Sequence, residues 1–245
     1  MQLQFVGCGD AFGSGGRFNT CFHLLGEGVS ALIDCGATSL VAMNRLAIDR
    51  NAVDVIFISH FHADHIGGLP SFMLESNYVL KRQRPLTVAG PPGLKSRFPE
   101  LMEAAFPGTG ALELSFPLIL QELEIGRPNS VGTMLVTPFH VQHDDRAGPC
   151  LGLRVEAGGK VVAYSGDTEW TSALIDVGRE ADLFICEAYT EDKPIRTHMA
   201  LSLLEQHLQE IAPKRLILTH MAAAMLARRG ELSFETAEDG MIVKL

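Results

Sequence analysis

The sequence predicts an α/β protein built from two similar layers that pack face to face, with helices on the outside. Three observations lead to this prediction. Hydrophobic residues make up 47% of the 245-residue chain, so a sizeable packed core is expected. Short apolar segments separated by glycine turns open the chain, and strands alternating with helices follow. The second half repeats this order without an intervening linker, so residues 1–245 are expected to form a single domain.

The first half is expected to begin with three strands and then to alternate strands with helices. The segments QLQFVG, TCFHLLGEG and VSALIDCG have the apolar content and glycine boundaries of strands, and a hairpin across Gly26–Gly28 would join the last two. A helix is predicted over Thr38–Ile48, before the apolar strand VDVIFI. Helices over Leu69–Leu80 and Leu94–Ala105 would flank a strand in RPLTVAG.

The second half is expected to follow the same plan. Its predicted strands and helices are, in order, strands over Thr133–His143, Cys150–Glu156 and Lys160–Ser165, a helix over Thr171–Val177, the strand ADLFICEA, a helix over Ala200–Ile211 and the strand RLILTH. Because both halves lead from strands to strand–helix alternation, two similar layers are expected.

The charge and the cysteines narrow the class of function. The net charge of −9 and the lack of a long basic run make binding to polyanionic nucleic acid unfavourable, although metal ions would add positive charge at a site. The N-terminus lacks the pattern of a secretory signal, and no apolar stretch of about 18 residues predicts a membrane span. Five cysteines without CxxC spacing are typical of a reducing compartment. We therefore expect a cytoplasmic protein without a membrane partner.

The stretch SHFHADHIGG, Ser59–Gly68, concentrates metal-binding side chains directly after an apolar strand. His60 and His62 alternate along an extended segment, so they point the same way. Asp64 and His65 follow in a turn that leads to a helix. Imidazole and carboxylate ligands without thiolate suit zinc, manganese or iron. These four side chains cannot all bind one ion in this geometry, so Asp64 and His65 are expected to serve a second ion.

The remaining ligands are expected at the ends of other apolar strands. The segment YSGDT supplies Asp167, and RLILTH supplies His220. The segment TPFHVQH supplies either His140 or His143. Each of these side chains follows a strand, so the sequence predicts that they converge on the cluster after Ser59.

The choice between His140 and His143 depends on which face of their strand points inward. Phe139 and Val141 have the same parity as His143, and their apolar character predicts that this face points toward the metals. We therefore favour His143 as the ligand. His140 is then expected to be a surface residue or one that supports a ligand.

The motif SHFHADH resembles the HxHxDH signature of the metallo-β-lactamase superfamily. The later segments YSGDT and LILTH resemble its bridging aspartate and last histidine, in the same order. The resemblance extends over nearly the whole chain, from VGCGDAF to LTHM. It is greatest to the ribonuclease Z-like and arylsulfatase-like branch. That branch also has a glycine-rich first turn, a glutamate as in ICEAY, and a histidine just before a helix as in THMALSLLE. It implies an αββα four-layer sandwich and a hydrolase that uses two divalent metal ions, with zinc as the default and manganese or iron as alternatives.

The resemblance also implies a role for each site residue. It assigns His60, His62 and His143 to the first ion, Asp64, His65 and His220 to the second, and Asp167 to both. Asp64 would in addition orient the water between the ions. His198 and Glu187 match a pair near the leaving group, where a histidine backed by a carboxylate is a suitable general acid. The alternative for that pair is a helix-cap histidine beside an unrelated buried glutamate.

The expected reaction is hydrolysis of a small phosphodiester or related ester by a hydroxide shared between two metals about 4 Å apart. Between His143 and Asp167 the chain has room for one hairpin, whereas the enzymes that mature tRNA usually carry a long arm there. Nucleic acid is therefore expected to be an unlikely partner. The alternatives to hydrolysis of a small phosphodiester are tRNA 3′ processing and the activity of an arylsulfatase or lactonase. A metal-binding module without catalysis is a further alternative, disfavoured because every ligand position is filled.

A homodimer is expected, because relatives in this superfamily are commonly dimers. The segment SFMLESNYVL carries more apolar surface than one helix face needs, in Phe72, Met73, Tyr78, Val79 and Leu80. The alternative is that these side chains pack only the core.

Overall fold

The computed structural model describes residues 1–144, 146 and 148–245, which form two β-sheets packed face to face. The strands of the first sheet are β1 (Gln2–Gly7), β2 (Cys21–Gly26), β3 (Val29–Ile33), β4 (Val55–Phe57), β5 (Leu86–Gly90) and β6 (Leu118–Glu122). Those of the second are β7 (Asn129–Val131), β8 (Met134–Val141), β9 (Cys150–Ala157), β10 (Lys160–Tyr164), β11 (Leu183–Glu187), β12 (Leu216–Thr219) and β13 (Glu235–Thr236). The last strand, β14 (Ile242–Lys244), returns to the first sheet and pairs with β1.

Helices follow several of the strands and cover the outer faces of the sheets. They are α1 (Ser39–Arg45), α2 (Ala63–Ile66), α3 (Leu69–Leu74), α4 (Leu94–Ala105), α5 (Ala173–Gly178), α6 (Leu201–Ile211) and α7 (Ala223–Ala227). A π-helical turn, Glu75–Val79, continues α3. In the part of the chain that the structure describes, no helix is long and apolar enough to cross a membrane.

The two sheets share one pairing pattern. The first has the order β14-β1-β2-β3-β4-β5-β6, and its pairs are antiparallel as far as β3 and parallel beyond it. The second has the order β7-β8-β9-β10-β11-β12-β13, with antiparallel pairs as far as β10 and parallel pairs beyond. The repetition predicted from the sequence is therefore present in the structure.

Buried apolar side chains form three clusters that separate four layers. One lies between the sheets and contains strand side chains from both, such as Phe22 of β2 and Tyr164 of β10, whose rings meet edge to face at 5.2 Å. A second joins the outer face of the first sheet to α1–α4, for example through Phe72. A third joins the outer face of the second sheet to α5–α7, for example through Leu204. This arrangement is the expected αββα sandwich.

The largest departures from the predicted elements lie at segments with weak patterns. Strands β6 and β7 and the short β13 and β14 were not predicted, because half-exposed or very short segments carry little hydrophobic periodicity. The helix predicted over Leu69–Leu80 is α-helical only to Leu74. Within that segment Phe72 and Met73 are core residues, whereas Tyr78 and Val79 are 54% and 71% exposed.

Candidate metal centre

The proposed ligands lie at one edge of the sandwich, just beyond the carboxyl ends of strands. Such edges are where parallel α/β sheets place their sites. The residues there are Asp34 after β3, Ser59, His60, His62, Asp64 and His65 after β4, His143 after β8, Asp167 after β10, Glu187 at the end of β11, and His220 after β12. The apolar core between the two sheets thus fixes where the proposed ligands of the first sheet lie relative to those of the second.

One group of side chains consists of His60, His62 and His143. His62 Nδ1 lies 3.1 Å from His60 Nε2 and 3.0 Å from His143 Nε2. Their ring centroids are 4.8–5.0 Å apart and the rings meet nearly at right angles. These spacings allow the nitrogens to share one ion, as imidazole ligands of zinc do. The structure thus brings together the histidines predicted for the first ion.

A second group consists of Asp64, His65, Asp167 and His220, all of them buried. His65 Nε2 lies 3.2 Å from an oxygen of Asp64 and 3.2 Å from Asp167 Oδ2. His220 Nε2 also lies 3.2 Å from Asp167 Oδ2. Burial alone would lower the pKa of His65, but the surrounding carboxylates, led by Asp167, raise it well above its usual value. The pocket therefore stabilises positive charge at this point.

Asp167 lies between the two groups. Its Oδ2 is 3.2 Å from His65 and His220 of the second group and 4.0 Å from His143 of the first. Its other oxygen, Oδ1, is buried without a hydrogen-bond partner among the described residues. A buried, unpartnered carboxylate oxygen is costly unless a cation meets it. The donor set and this oxygen fit divalent metal ions on both sides of Asp167.

A buried carboxylate that was not among the predicted site residues orients the ligands from behind. Asp34 accepts hydrogen bonds from His65 Nδ1 at 2.7 Å and from the Ser59 hydroxyl at 2.7 Å. The Ser59 oxygen lies 3.1 Å from His60 Nδ1. Such partners fix the tautomer of a metal-binding histidine and turn its other nitrogen toward the ion. Asp34 follows β3 as the ligands follow their strands, so the same signal could have found it.

The remaining histidines are oriented in a similar way. His143 Nδ1 donates to the Thr197 carbonyl at 2.7 Å, and His220 Nδ1 lies 3.4 Å from the Thr20 hydroxyl. Asp34, Thr197 and His220 all have positive φ, at 59°, 75° and 54°. Such backbone conformations cost about 1–3 kcal/mol each and cluster at functional sites. The backbone therefore adopts unfavourable conformations at the positions that orient these rings.

The backbone around Asp167 is closely packed. Gly166 has a φ of +64°, and a Cβ built on it would lie 2.4 Å from the Leu151 carbonyl oxygen. Glycine is therefore required directly before the aspartate that lies between the two groups.

His198 and Glu187 form the pair that the resemblance implied. His198 Nδ1 lies 2.9 Å from Glu187 Oε2, and Glu187 also accepts the backbone N–H groups of Thr168 and Met199. Burial would lower the pKa of His198, but the hydrogen bond and charge of Glu187 raise it to about 9. The His198 side chain is 20% exposed and lines the site, whereas Glu187 is fully buried. Glu187 thus favours the protonated form of the histidine that faces the cavity.

The choice of His143 over His140 rested on an assumption about strand faces that is wrong. Phe139 and Val141 pack in the outer cluster, against the helices, and not toward the site. Both faces of this sheet are covered by apolar residues, so apolar character does not identify the inward face. His143 enters the site because β8 ends at Val141 and the chain bends, whereas His140 is exposed.

The site opens into a cavity of about 360 Å³, within the roughly 300–1,000 Å³ of small-molecule sites. An adjoining groove of about 550 Å³ shares His143, Asp144 and Thr197 with it. That groove is also lined by Arg146 and Arg196. Arg146 pairs with Asp144 at 2.7 Å, while no ion pair involves Arg196 within the described residues. A cationic group therefore stands beside the site of an acidic protein.

Comparison with known proteins places this geometry in a family. A family model described as "Anti-Pycsar protein Apyc1" matches residues 1–238. Ribonuclease Z of Methanosarcina acetivorans is 25% identical over 274 residues, which cover 91% of this chain and 88% of the relative. That alignment is longer than the 245 residues of the chain, so the relative carries segments that this chain lacks.

Solved structures confirm the fold. The metallo-β-lactamase fold protein YhfI from Bacillus subtilis superposes with a TM-score of 0.80 at 19% identity, covering 99% of both chains. The short form of human tRNase Z gives 0.79 at 24% identity, covering 100% of this chain and 99% of that one. Together these findings confirm a metal-dependent hydrolase of the metallo-β-lactamase superfamily, in its ribonuclease Z-like branch.

The expectation that nucleic acid is an unlikely partner is contradicted. A relative that matches across nine-tenths of this chain is named ribonuclease Z, an enzyme named for RNA. The expectation rested on the single hairpin between His143 and Asp167 and on the net charge of −9, which averages over the whole surface. An anionic ligand meets the local field instead, and the groove beside the site contributes Arg196 to that field.

We predict that His143→Ala lowers the metal content per chain, because the first group loses one of its three imidazole nitrogens. Activity should fall by more than the roughly 10- to 100-fold that loss of a ligand's hydrogen-bond partner costs. Metal content by mass spectrometry after dialysis checks this. His140→Ala removes an exposed histidine three residues earlier, within β8, and as the matched control it should keep the full metal content. Equal metal loss in both variants, or loss only in His140→Ala, would contradict the assignment.

Proposed function

The chain belongs to the family described as anti-Pycsar protein Apyc1, and we propose that it is a dinuclear metal-dependent phosphodiesterase acting on nucleotide phosphodiesters, RNA included. The position of Asp167 carries this proposal. Its carboxylate lies within 4.0 Å of ligand nitrogens from both groups, so it can bind an ion on each side. Two such ions would lower the pKa of a bound water and offset the charge that develops on a phosphoryl group.

The protein's own contribution begins with orientation. Asp34 and Ser59 hold the rings of His60 and His65, and Thr197 holds that of His143. Asp64 has one oxygen near His65 and lines the cavity, so it can also accept a hydrogen bond from the attacking water. Zinc suits this set of imidazole and carboxylate donors, and manganese or iron are compatible with it.

His198 supplies the proton for the leaving oxygen. Its Nδ1 donates to Glu187, which leaves Nε2 for the substrate. The raised pKa of His198 keeps that proton in place near neutral pH. As the phosphorus–oxygen bond breaks, the proton on Nε2 moves to the leaving oxygen, which departs as an alcohol. The negative charge of Glu187 stabilises the imidazolium before this transfer.

The groove beside the site supports a nucleotide substrate. A phosphodiester has a substituent on each side of the phosphorus, and a cavity with an adjoining groove can accept both. Arg196 in that groove can pair with a neighbouring phosphate of an RNA strand or with another anionic group. The ribonuclease Z relative supports RNA as one such substrate. The buried cysteines, which form no disulfide within the described residues, support a cytoplasmic location.

We expect the metal-loaded protein to hydrolyse bis(p-nitrophenyl) phosphate and a short single-stranded RNA, because both present a phosphodiester to the same centre. Initial rates before and after chelation with EDTA measure this. Asp167→Ala should lose both activities and bind less metal, since it removes the ligand common to both groups. Turnover of p-nitrophenyl sulfate without turnover of either phosphodiester, at full metal content, would replace the proposal with an arylsulfatase.

His198→Ala should affect RNA far more than bis(p-nitrophenyl) phosphate. Nitrophenolate leaves without a proton, whereas a ribose oxygen needs one, and general acid catalysis contributes roughly 10²–10⁴-fold. The measurement is kcat for each substrate in both proteins. Glu187→Gln should show the same preference with a smaller loss on RNA. An equal loss on both substrates would show that His198 has another role.

The homodimer is also proposed, through the exposed end of the segment that follows α3. Tyr78 and Val79 are exposed at the π-helical turn, and Val79→Asp would bury a charge in an interface there. Light scattering should give about twice the chain mass of 26.6 kDa for the unmodified protein and a lower mass for the variant. Ile242→Asp, at another exposed aliphatic residue, is the control. A monomer mass for the unmodified protein would refute the dimer.

A further inference from the structure

Phe12 is an aromatic side chain that lies in water at the mouth of the metal site. It is 83% exposed, more than any other large hydrophobic side chain among the described residues. It lines the same cavity as His62, Asp64 and His198. A large apolar side chain left in water forgoes the stabilisation of burial, and Phe12 does so on the wall of the cavity that contains the proposed ligands.

The backbone that carries Phe12 is held firmly although its ring is exposed. Asp10 is buried, and its Oδ1 accepts the N–H groups of Phe12 at 3.2 Å and Ser14 at 2.9 Å. Its Oδ2 accepts the Ser14 hydroxyl at 2.7 Å, and its carbonyl accepts the Asn19 side chain at 3.0 Å. These bonds fix the turn, so the ring is presented in advance and little ordering is needed when a ligand meets it.

From this geometry we infer that Phe12 is a stacking platform for the nucleobase of the substrate. The inference rests on the proposed function and extends it, because it assigns recognition of the base in addition to cleavage of the phosphodiester. With the phosphate at the metal centre, a base on the adjoining sugar can reach the wall of the same cavity that Phe12 forms. Bases stack on aromatic side chains with little regard to sequence, because every base has a π-face.

The charge distribution supports a base rather than a further phosphate at this end. Phe12 lines the metal cavity but not the adjoining groove, where Arg146 and Arg196 lie. The buried carboxylate of Asp10 lies beneath the Phe12 turn, which disfavours an anion there. The wall of the cavity that Phe12 forms therefore suits an uncharged planar group, and the adjoining groove with its arginines suits an anionic one.

The test compares the affinities of adenosine 5′-monophosphate and ribose 5-phosphate, which differ only in the base. Isothermal titration of the metal-loaded protein should show tighter binding of the nucleotide. Phe12→Leu, which removes the ring and keeps an apolar side chain, should weaken nucleotide binding about tenfold, or about 1.4 kcal/mol. It should leave ribose 5-phosphate unchanged, and Phe12→Trp should restore the nucleotide affinity. Phe106→Leu, at an exposed phenylalanine that does not line the cavity, is the matched control.

Each contrary outcome overturns the inference. If the base adds no affinity in the unmodified protein, or if Phe12→Leu weakens both ligands equally, Phe12 does not recognise a base. If Phe12→Leu instead lowers the mass measured by light scattering, the ring belongs to an interface between copies of the chain. Because binding is measured without turnover, these results are distinct from a failure of hydrolysis, which would contradict the phosphodiesterase proposal itself.

Discussion

The site depends on one buried carboxylate placed among histidine nitrogens. Asp167 has one oxygen 3.2 Å from His65 and from His220, while its other oxygen is buried without a partner among the described residues. Burying charge in this way is unfavourable unless positive charge compensates it. The surroundings follow from that requirement. Gly166 allows the close approach to Leu151. Asp34 holds the His65 ring directly and, through the Ser59 hydroxyl, also supports His60.

The sandwich explains how distant parts of the chain meet that requirement. The first sheet contributes the cluster that follows β4, and the second contributes the ligands that follow β8, β10 and β12. Apolar packing between the sheets therefore fixes the distance between the two ligand sets. Metal binding and packing of the two sheets are thermodynamically coupled, since ions that bind only the assembled site stabilise the assembled sandwich.

The sequence was most informative where strand ends and polar residues coincide. The position of α4 and the convergence of the segments after β4, β10 and β12 could be predicted, because each follows a clear apolar run. The inward face of β8 could not, because Phe139 and Val141 pack against helices on a sheet that is covered on both sides. Asp34 was overlooked although it follows a strand as the proposed ligands do, because its partner His65 lies 31 residues away and only the fold brings the two together.

The net charge led to the wrong prediction about nucleic acid because it contains no information on where the charges lie. A sum over the chain contains no positions, whereas a substrate phosphate responds to groups within about a Debye length, roughly 8–10 Å in physiological salt. Arg196 in the groove and the ions that the ligand set would hold decide that field, and many of the acidic residues are exposed elsewhere. An acidic surface with a cationic centre slows nonspecific association with a polyanion while leaving the centre itself attractive. For the proposed phosphodiesterase, this distribution of charge favours a short or single-stranded substrate, because a long duplex would bring many phosphates against the acidic surface.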